Sequence, residues 1–121
     1  MKNQTFRMTM LFDFYGELLT ERQREFYQLY YDEDLSLSEI AENYGISRQG
    51  VRDVIVRAEA YMTELEDKTG IVKRFMQLAP HVEAIEGAVG EIKEMNRRLF
   101  EDKRLGELCA AIETETKALK E

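Results

Sequence analysis

Residues 37–55 read LSEIAENYGISRQGVRDVI, and this stretch decides the fold. Its apolar residues are spaced for two short helices that share one core, and Ala41 places a small side chain where those helices would cross. Gly45 lies at the turn between them, where glycine reaches a positive φ at little cost. The pattern predicts a helix-turn-helix over roughly residues 37–56.

The second helix of this motif is predicted to begin after Ser47, whose hydroxyl group can cap it. Arg48, Gln49 and Arg52 would then project from its first turns, where a helix-turn-helix protein contacts base edges and phosphates. Arginine and glutamine side chains are suited to such contacts. We therefore predict a nucleic-acid-binding site formed by Ser47, Arg48, Gln49 and Arg52.

The residues on either side of the motif also predict helices. One helix is expected over residues 4–15, and two further helices begin at capping boxes headed by Thr20 and Ser36. The motif's second helix is predicted to continue to about Gly70, which favours a helix end. The first helix should bury Leu11, Phe14, Tyr15 and Leu18.

The C-terminal part predicts helices that are interrupted at two points. A short helix over residues 71–78 should end before Pro80, the only proline, and a long helix should follow to about residue 102. A last helix is expected over residues 105–119. Gly106 favours a break before it, although one continuous helix also fits the pattern.

The predicted fold class is therefore all-α. A helix-turn-helix domain of three to four helices is expected at residues 1–70. A long amphipathic helix or a helical hairpin is expected at residues 71–121, as an arm for dimerisation or for a partner.

An apolar stripe along the long C-terminal helix indicates a partner surface. Its residues alternate by three and four over about two and a half heptads, as in a two-helix seam. They are Val82, Ile85, Val89, Ile92, Asn96 and Leu99. The stripe predicts a homodimer paired through this helix, although a helix that packs within its own domain gives the same pattern.

The charge of the chain limits its interaction with nucleic acid. The formal net charge is −7, and residues 19–66 carry five basic and eleven acidic side chains. Proteins that bind nucleic acid usually show a basic footprint, because phosphate neutralisation supplies most of their non-specific affinity. Binding would therefore depend on a local patch.

The composition gives no support to catalysis or to a cofactor. His81 is the only histidine and Cys109 the only cysteine, so neither a histidine-based triad nor a cysteine-rich zinc site can be assembled. No apolar run approaches the roughly 20 residues of a membrane-spanning helix. We expect a cytoplasmic protein that is not an enzyme, binds no metal or cofactor and does not insert into a membrane.

Several short segments carry a resemblance to known families. The segments LTERQR, SLSEIA and ISRQGV, at residues 19–24, 36–41 and 46–51, resemble the promoter-reading region of sigma factors. Together with LFDFYGELLT at 11–20 and SRQGVRD at 47–53, they resemble the YlxM family of Gram-positive bacteria over about residues 8–75. Members of that family are described as helix-turn-helix proteins whose genes adjoin those of the signal recognition particle.

The resemblance implies a regulatory or accessory role in protein targeting by the signal recognition particle. Such a protein would bind nucleic acid, either RNA or DNA, or components of the particle. Two alternatives stay open: a DNA-binding transcription regulator, and a protein–protein adaptor that has lost nucleic-acid binding. The acidic motif region suits the adaptor.

Overall fold

The computed structural model describes residues 5–121, which form six α-helices and no strand. The helices are α1 (Thr5–Tyr15), α2 (Glu21–Tyr31), α3 (Leu37–Tyr44), α4 (Arg48–Thr69), α5 (Ile71–Met95) and α6 (Lys103–Lys120). The predicted all-α class is confirmed. Gln4, the first residue of the predicted N-terminal helix, lies outside the described residues.

The chain forms two compact units that divide between Val72 and Lys73. We call residues 5–72 the helix-turn-helix unit and residues 73–121 the hairpin. None of the helices within residues 5–121 has the length and apolar character needed to cross a membrane.

The helix starts in the first unit are set by side-chain caps. The Thr20 hydroxyl accepts the Gln23 N–H at 3.1 Å, and the Gln23 side chain accepts the Thr20 N–H at 3.0 Å. Ser36 and Glu39 form the same reciprocal pair before α3, at 3.0 and 3.1 Å. Each capping box satisfies two N–H groups that the first helical turn leaves unpaired, so both predicted starts are confirmed.

Helix α4 is the centre of the helix-turn-helix unit, because α1, α2 and α3 all pack against it. Val51, Ile55, Ala58 and Met62 are fully buried along one of its faces. Two apolar clusters meet this face, one built around α1 and one around α3. Burial of each large apolar side chain contributes about 1.5–3 kcal/mol, so this packing fixes the orientation of α4.

The turn between α3 and α4 has the geometry that the sequence predicts. Gly45 adopts φ 67° and ψ 32°, in the left-handed region, and its N–H donates to the Ala41 carbonyl. The Ile46 N–H donates to the same carbonyl at 3.1 Å. Ala41 itself is buried in the cluster around α3. The helix-turn-helix is thus confirmed at the predicted residues.

The end of α1 differs from the prediction at Leu18. Residues Gly16–Leu18 form a short 3-10 turn, which winds more tightly than an α-helix. This winding turns the Leu18 side chain away from the core, so that it is 59% exposed. Leu19 is buried in its place. The predicted burial of Leu11 and Tyr15 is confirmed, whereas that of Leu18 is wrong.

The connection from α4 to α5 is built on a buried carboxylate. The Tyr15 hydroxyl donates to Glu66 Oε1 at 2.6 Å, and the same oxygen accepts the Val72 N–H at 3.0 Å. Gly70 ends α4 with φ 64°, as predicted. Burial raises the pKa of the Tyr15 phenol, and the hydrogen bond to Glu66 raises it further.

The predicted interruption at Pro80 is wrong, because α5 continues through it without a break. A proline inside a helix removes one backbone hydrogen bond and crowds the preceding turn, at a cost of about 3 kcal/mol. Val82 and Val89, just beyond the proline, are buried. The burial of these two side chains contributes free energy that can offset the lost hydrogen bond.

The break between the last two helices lies at residues 101–102. A π-helical turn, Asn96–Phe100, follows α5, and Glu101 has a positive φ of 48°. Asp102 then caps α6 by accepting the Leu105 N–H at 2.8 Å. Gly106, the predicted position of a break, lies inside α6.

Two ion pairs show that α5 and α6 run antiparallel. Lys93 contacts Glu113 at 3.1 Å, and Lys120 contacts Glu86 at 3.1 Å. The residue numbers fall along α5 as they rise along α6, as in a helical hairpin. The prediction of a long helix or a hairpin is therefore settled in favour of the hairpin.

Candidate nucleic-acid interface

The first turn of α4 is fixed by Ser47. Its hydroxyl oxygen accepts the Gly50 N–H at 2.9 Å, and its backbone is extended, with φ −77° and ψ 154°. Helix α4 consequently begins at Arg48, as the sequence predicts.

Gly50 is a residue of this site that the sequence analysis missed. A Cβ atom at this position would lie 3.1 Å from the Ser47 hydroxyl oxygen, closer than most real contacts allow. A larger residue would therefore press on the cap that starts the helix. The signal in the sequence was a glycine at the third position of a helix, where glycine lowers helix stability and needs a local reason.

Arg48 and Arg52 form the cationic part of the site. They are one turn apart, so they lie on the same face of α4, and both are exposed. Neither forms an ion pair with any residue between 5 and 121. Both guanidinium groups are therefore available to an anionic ligand.

Gln49 is engaged with its own helix. Its side-chain N–H donates to the Asp53 carboxylate at 3.0 Å. Such a pair on a helix surface is worth about 0.2–0.5 kcal/mol, so the Gln49 amide can be released at small cost. While the bond is intact, one amide N–H of Gln49 is engaged with Asp53 and not with a ligand.

Buried side chains hold this surface in place from behind. Val51 and Ile55 are fully buried in the cluster around α3. Tyr44, at the end of α3, donates a hydrogen bond to Glu25 of α2, and this bond raises the pKa of the Tyr44 phenol. The arginines are thus carried by a packed three-helix support, which favours a defined contact geometry.

The predicted dimer stripe is divided between two sides of α5. Val82 and Val89 are buried, and Asn96 bonds to the backbone of Asp102 across the hairpin turn. The other three members of the stripe are exposed. They are Ile85, Ile92 and Leu99. The six residues therefore do not form one continuous exposed seam.

The described part of the chain contains no group of three histidine, cysteine, aspartate or glutamate side chains that could hold a metal ion. His81 is exposed, and Cys109 is a buried free thiol in the hairpin.

Comparison with known proteins identifies the family. Residues 2–115 match the UPF0122 family, described as "Putative helix-turn-helix protein, YlxM / p13 like". A UPF0122 protein of Thermoanaerobacter sp. (strain X514) is 46% identical over 90 residues, which cover 74% of this chain and 77% of the relative. A UPF0122 protein of Bacillus thuringiensis (strain Al Hakam) is 42% identical over 99 residues, which cover 82% of this chain and 90% of the relative.

A third relative has a higher sequence identity over a shorter segment. The UPF0122 protein of Desulforamulus reducens is 54% identical over 71 residues, which cover 59% of this chain and 61% of the relative. The family is described by its helix-turn-helix and not by an enzymatic activity. Because the family match covers nearly the whole chain, this protein belongs to the UPF0122 family of YlxM/p13-like helix-turn-helix proteins.

Proposed function

We propose that this protein is a non-enzymatic, cytoplasmic accessory protein that binds nucleic acid through the first turns of α4. One observation carries the proposal: Arg48 and Arg52 are exposed, lie side by side and have no ion-pair partner among residues 5–121. In a helix-turn-helix, the start of the second helix is the part that contacts bases and phosphates.

The number and surroundings of these arginines set the strength of binding. Two arginines can neutralise about two phosphates, so log K should fall with log salt at a slope near −2. The acidic side chains of residues 19–66 oppose the approach of a polyanion. We therefore infer weak, salt-sensitive binding that depends on a favourable local shape of the nucleic acid.

The pathway is proposed from the resemblance to the YlxM family. Its gene neighbourhood supports a role in protein targeting by the signal recognition particle, through RNA, DNA or components of the particle. A DNA-binding transcription regulator would use the same arginines on duplex DNA. A targeting role through RNA and a transcription regulator on DNA therefore differ in the nucleic acid that is preferred.

The test is fluorescence anisotropy with a labelled RNA hairpin and a labelled DNA duplex, between 50 and 200 mM KCl. We expect Arg48→Ala/Arg52→Ala to weaken binding and to lower the salt slope by about two. The matched control, Arg97→Ala/Arg98→Ala, removes the same charge from the hairpin and should leave affinity and slope unchanged. Preference for the DNA duplex would favour the transcription regulator.

A protein–protein adaptor is the second candidate, and the bond between Gln49 and Asp53 favours it. That bond engages one of the predicted base-reading groups with a carboxylate of the same helix. The adaptor is supported if neither nucleic acid binds. If the double arginine variant binds as the parent does, the nucleic acid contacts another part of the chain. Either result would contradict the assignment of α4 as a nucleic-acid reader.

A further inference from the structure

We propose that a second copy of this chain docks on one exposed apolar face of the hairpin, forming an antiparallel four-helix bundle. The face, which we call the outer face, consists of six residues. They are Ile85, Ile92 and Leu99 of α5 with its π-helical turn, and Leu108, Ile112 and Leu119 of α6. The inference is independent of what the helix-turn-helix binds.

The inner side of the hairpin is defined by contacts between its helices. On α5 it includes Glu86 and Lys93, which pair with Lys120 and Glu113 of α6. The buried Val89 lies on the same side of α5, since positions 86, 89 and 93 are three and four apart.

Within α5 and α6, each residue of the outer face comes directly before a residue of the inner side in the sequence. Ile85 precedes Glu86, Ile92 precedes Lys93, and Ile112 precedes Glu113. One residue back along an α-helix is a rotation of about 100°. Because the helices are antiparallel, the same rotation on both turns their side chains to the same side of the hairpin. The five outer residues within α5 and α6 therefore share one face, and Leu99 follows α5 in the π-helical turn.

The outer face exposes more contiguous apolar surface than isolated apolar residues on a protein surface do. Its six side chains are between 39 and 65% exposed. Together they expose roughly 500 Å², comparable to the largest apolar patches on single proteins, which often mark interaction sites. Two such faces in full contact would bury on the order of 1,000 Å², which is the lower limit for a biological interface and corresponds to a weak dimer.

The spacing of the face favours a second copy over an unrelated partner. Ile92 lies seven residues from both Ile85 and Leu99, about 10 Å along the helix in each direction. On α6, the midpoint between Leu108 and Leu119 lies next to Glu113. The ion pair between Lys93 and Glu113 places this point at the same height as Lys93, the residue after Ile92. Both apolar rows are thus centred at the same height.

A face centred in this way matches itself after a two-fold rotation, which is the requirement of a symmetric dimer interface. With the axis at the height of Ile92 and perpendicular to the helices, Ile92 of one copy meets Ile92 of the other. Ile85 then meets Leu99 of the second copy and Leu108 meets Leu119, whereas Ile112 lies level with the exposed Glu115 of the second copy.

A cavity at the open end of the hairpin supports this arrangement. It has a volume of about 190 Å³ and is lined mainly by apolar side chains, including Leu78, Val82 and Leu119. The two-fold rotation brings the turn of the second copy, with its exposed Leu99 and Phe100, to this end. A dry cavity of about 150 Å³ accommodates a benzene ring, so the Phe100 ring fits.

The first test is sedimentation velocity of the full chain at 50 µM. The parent should sediment at twice the monomer mass of 14.2 kDa. Ile92→Glu/Ile112→Glu should sediment as a monomer with unchanged far-ultraviolet circular dichroism. The matched control, Gly90→Glu/Ala110→Glu, adds the same charge at exposed positions on the opposite side and should remain a dimer.

The second test fixes the orientation of the two copies. Ile92→Cys should form an intermolecular disulfide under mild oxidation, because the proposed axis lies at the height of residue 92. Ile85→Cys should not form one, because residue 85 then faces residue 99 of the second copy, whereas a parallel pairing of α5 would bring residue 85 next to itself as well. Gly90→Cys should not form one, and Cys109 is buried. The proposal is overturned if the parent is a monomer, if the double glutamate variant stays dimeric or loses its helicity, or if Ile92→Cys fails to cross-link.

Discussion

The helix-turn-helix unit and the hairpin differ in how they bury their apolar residues. Among residues 6–121, three of the seventeen buried hydrophobic side chains lie in the hairpin, whereas eleven of the fifteen exposed large hydrophobic side chains do. The first unit encloses two apolar clusters around α4. Two helices alone cannot enclose a core, because each has only one neighbour to pack against.

The contrast indicates a division of roles. The helix-turn-helix unit holds a precise surface at the start of α4 because its core is complete. The hairpin retains an uncovered apolar face, which is the expected state of a segment that is completed by a partner. Three measurements test this comparison.

Alkaline pH should give the largest difference in stability between the two regions, because all six tyrosines lie between residues 15 and 61. Burial is the main cause of a raised pKa at Tyr15, Tyr27 and Tyr31. The folded unit therefore favours the neutral phenols. Their stabilising contribution is complete below about pH 10, the ordinary tyrosine pKa, and is lost as the pH rises above it.

We expect the helix-turn-helix unit to unfold between about pH 10 and 12, as phenolate absorbance at 295 nm increases. Methyl NMR can follow the two regions separately, with Ile55 reporting on the first unit and Ile92 on the hairpin. Simultaneous loss of both signals would show that the regions are not independent. Persistence of the Ile55 signal after full ionisation would contradict the assigned pKa direction.

Truncation of one isoleucine in each region should give unequal effects. Ile55 is fully buried, so Ile55→Ala should lower the free energy of unfolding by about 2–5 kcal/mol. Ile85 is 46% exposed in the hairpin, so Ile85→Ala should leave the stability of the monomer nearly unchanged. Urea denaturation at low protein concentration, where a dimer dissociates, provides the measurement. Equal losses would mean that the hairpin has a core of its own.

The smallest loss of stability is expected at the hairpin turn, where the Asn96 side chain forms two hydrogen bonds with the backbone of Asp102. This side chain donates to the Asp102 carbonyl at 2.9 Å and accepts the Asp102 N–H at 2.8 Å. Asn96→Ala removes both bonds, at a net cost of about 1–2 kcal/mol because the turn is exposed to water. Hydrogen exchange at the Asp102 amide should accelerate, whereas the exposed control Asn43→Ala should leave it unchanged.

The helix-turn-helix could be predicted because its determinants are local. A small residue at Ala41, a left-handed Gly45 and a hydroxyl cap at Ser47 act within a few residues of the chain. Such features favour one local backbone conformation without reference to distant contacts. The exposure of Arg48 and Arg52 follows from them, because Val51 and Ile55 occupy the buried face of the same helix.

The hairpin was less predictable, because its features depend on contacts between distant residues. Helical spacing groups Val82 with Ile85 and Val89 with Ile92, but it does not show which of two adjoining sides meets a neighbour. The position of α6 decides this and leaves Ile85 and Ile92 exposed. Asn96 fits a seam by its spacing, yet its polar groups find partners in the turn at Asp102.

The sequence by itself therefore determined the helices of the first unit, the motif they form and the side chains at its surface. The tertiary structure alone decided that α5 continues through Pro80, that the chain reverses at residues 101–102 and which apolar row is left uncovered. The physical reason is the separation along the chain of the residues that interact. Caps and positive φ angles act between near neighbours, whereas burial of one row in preference to another requires a second helix placed against it.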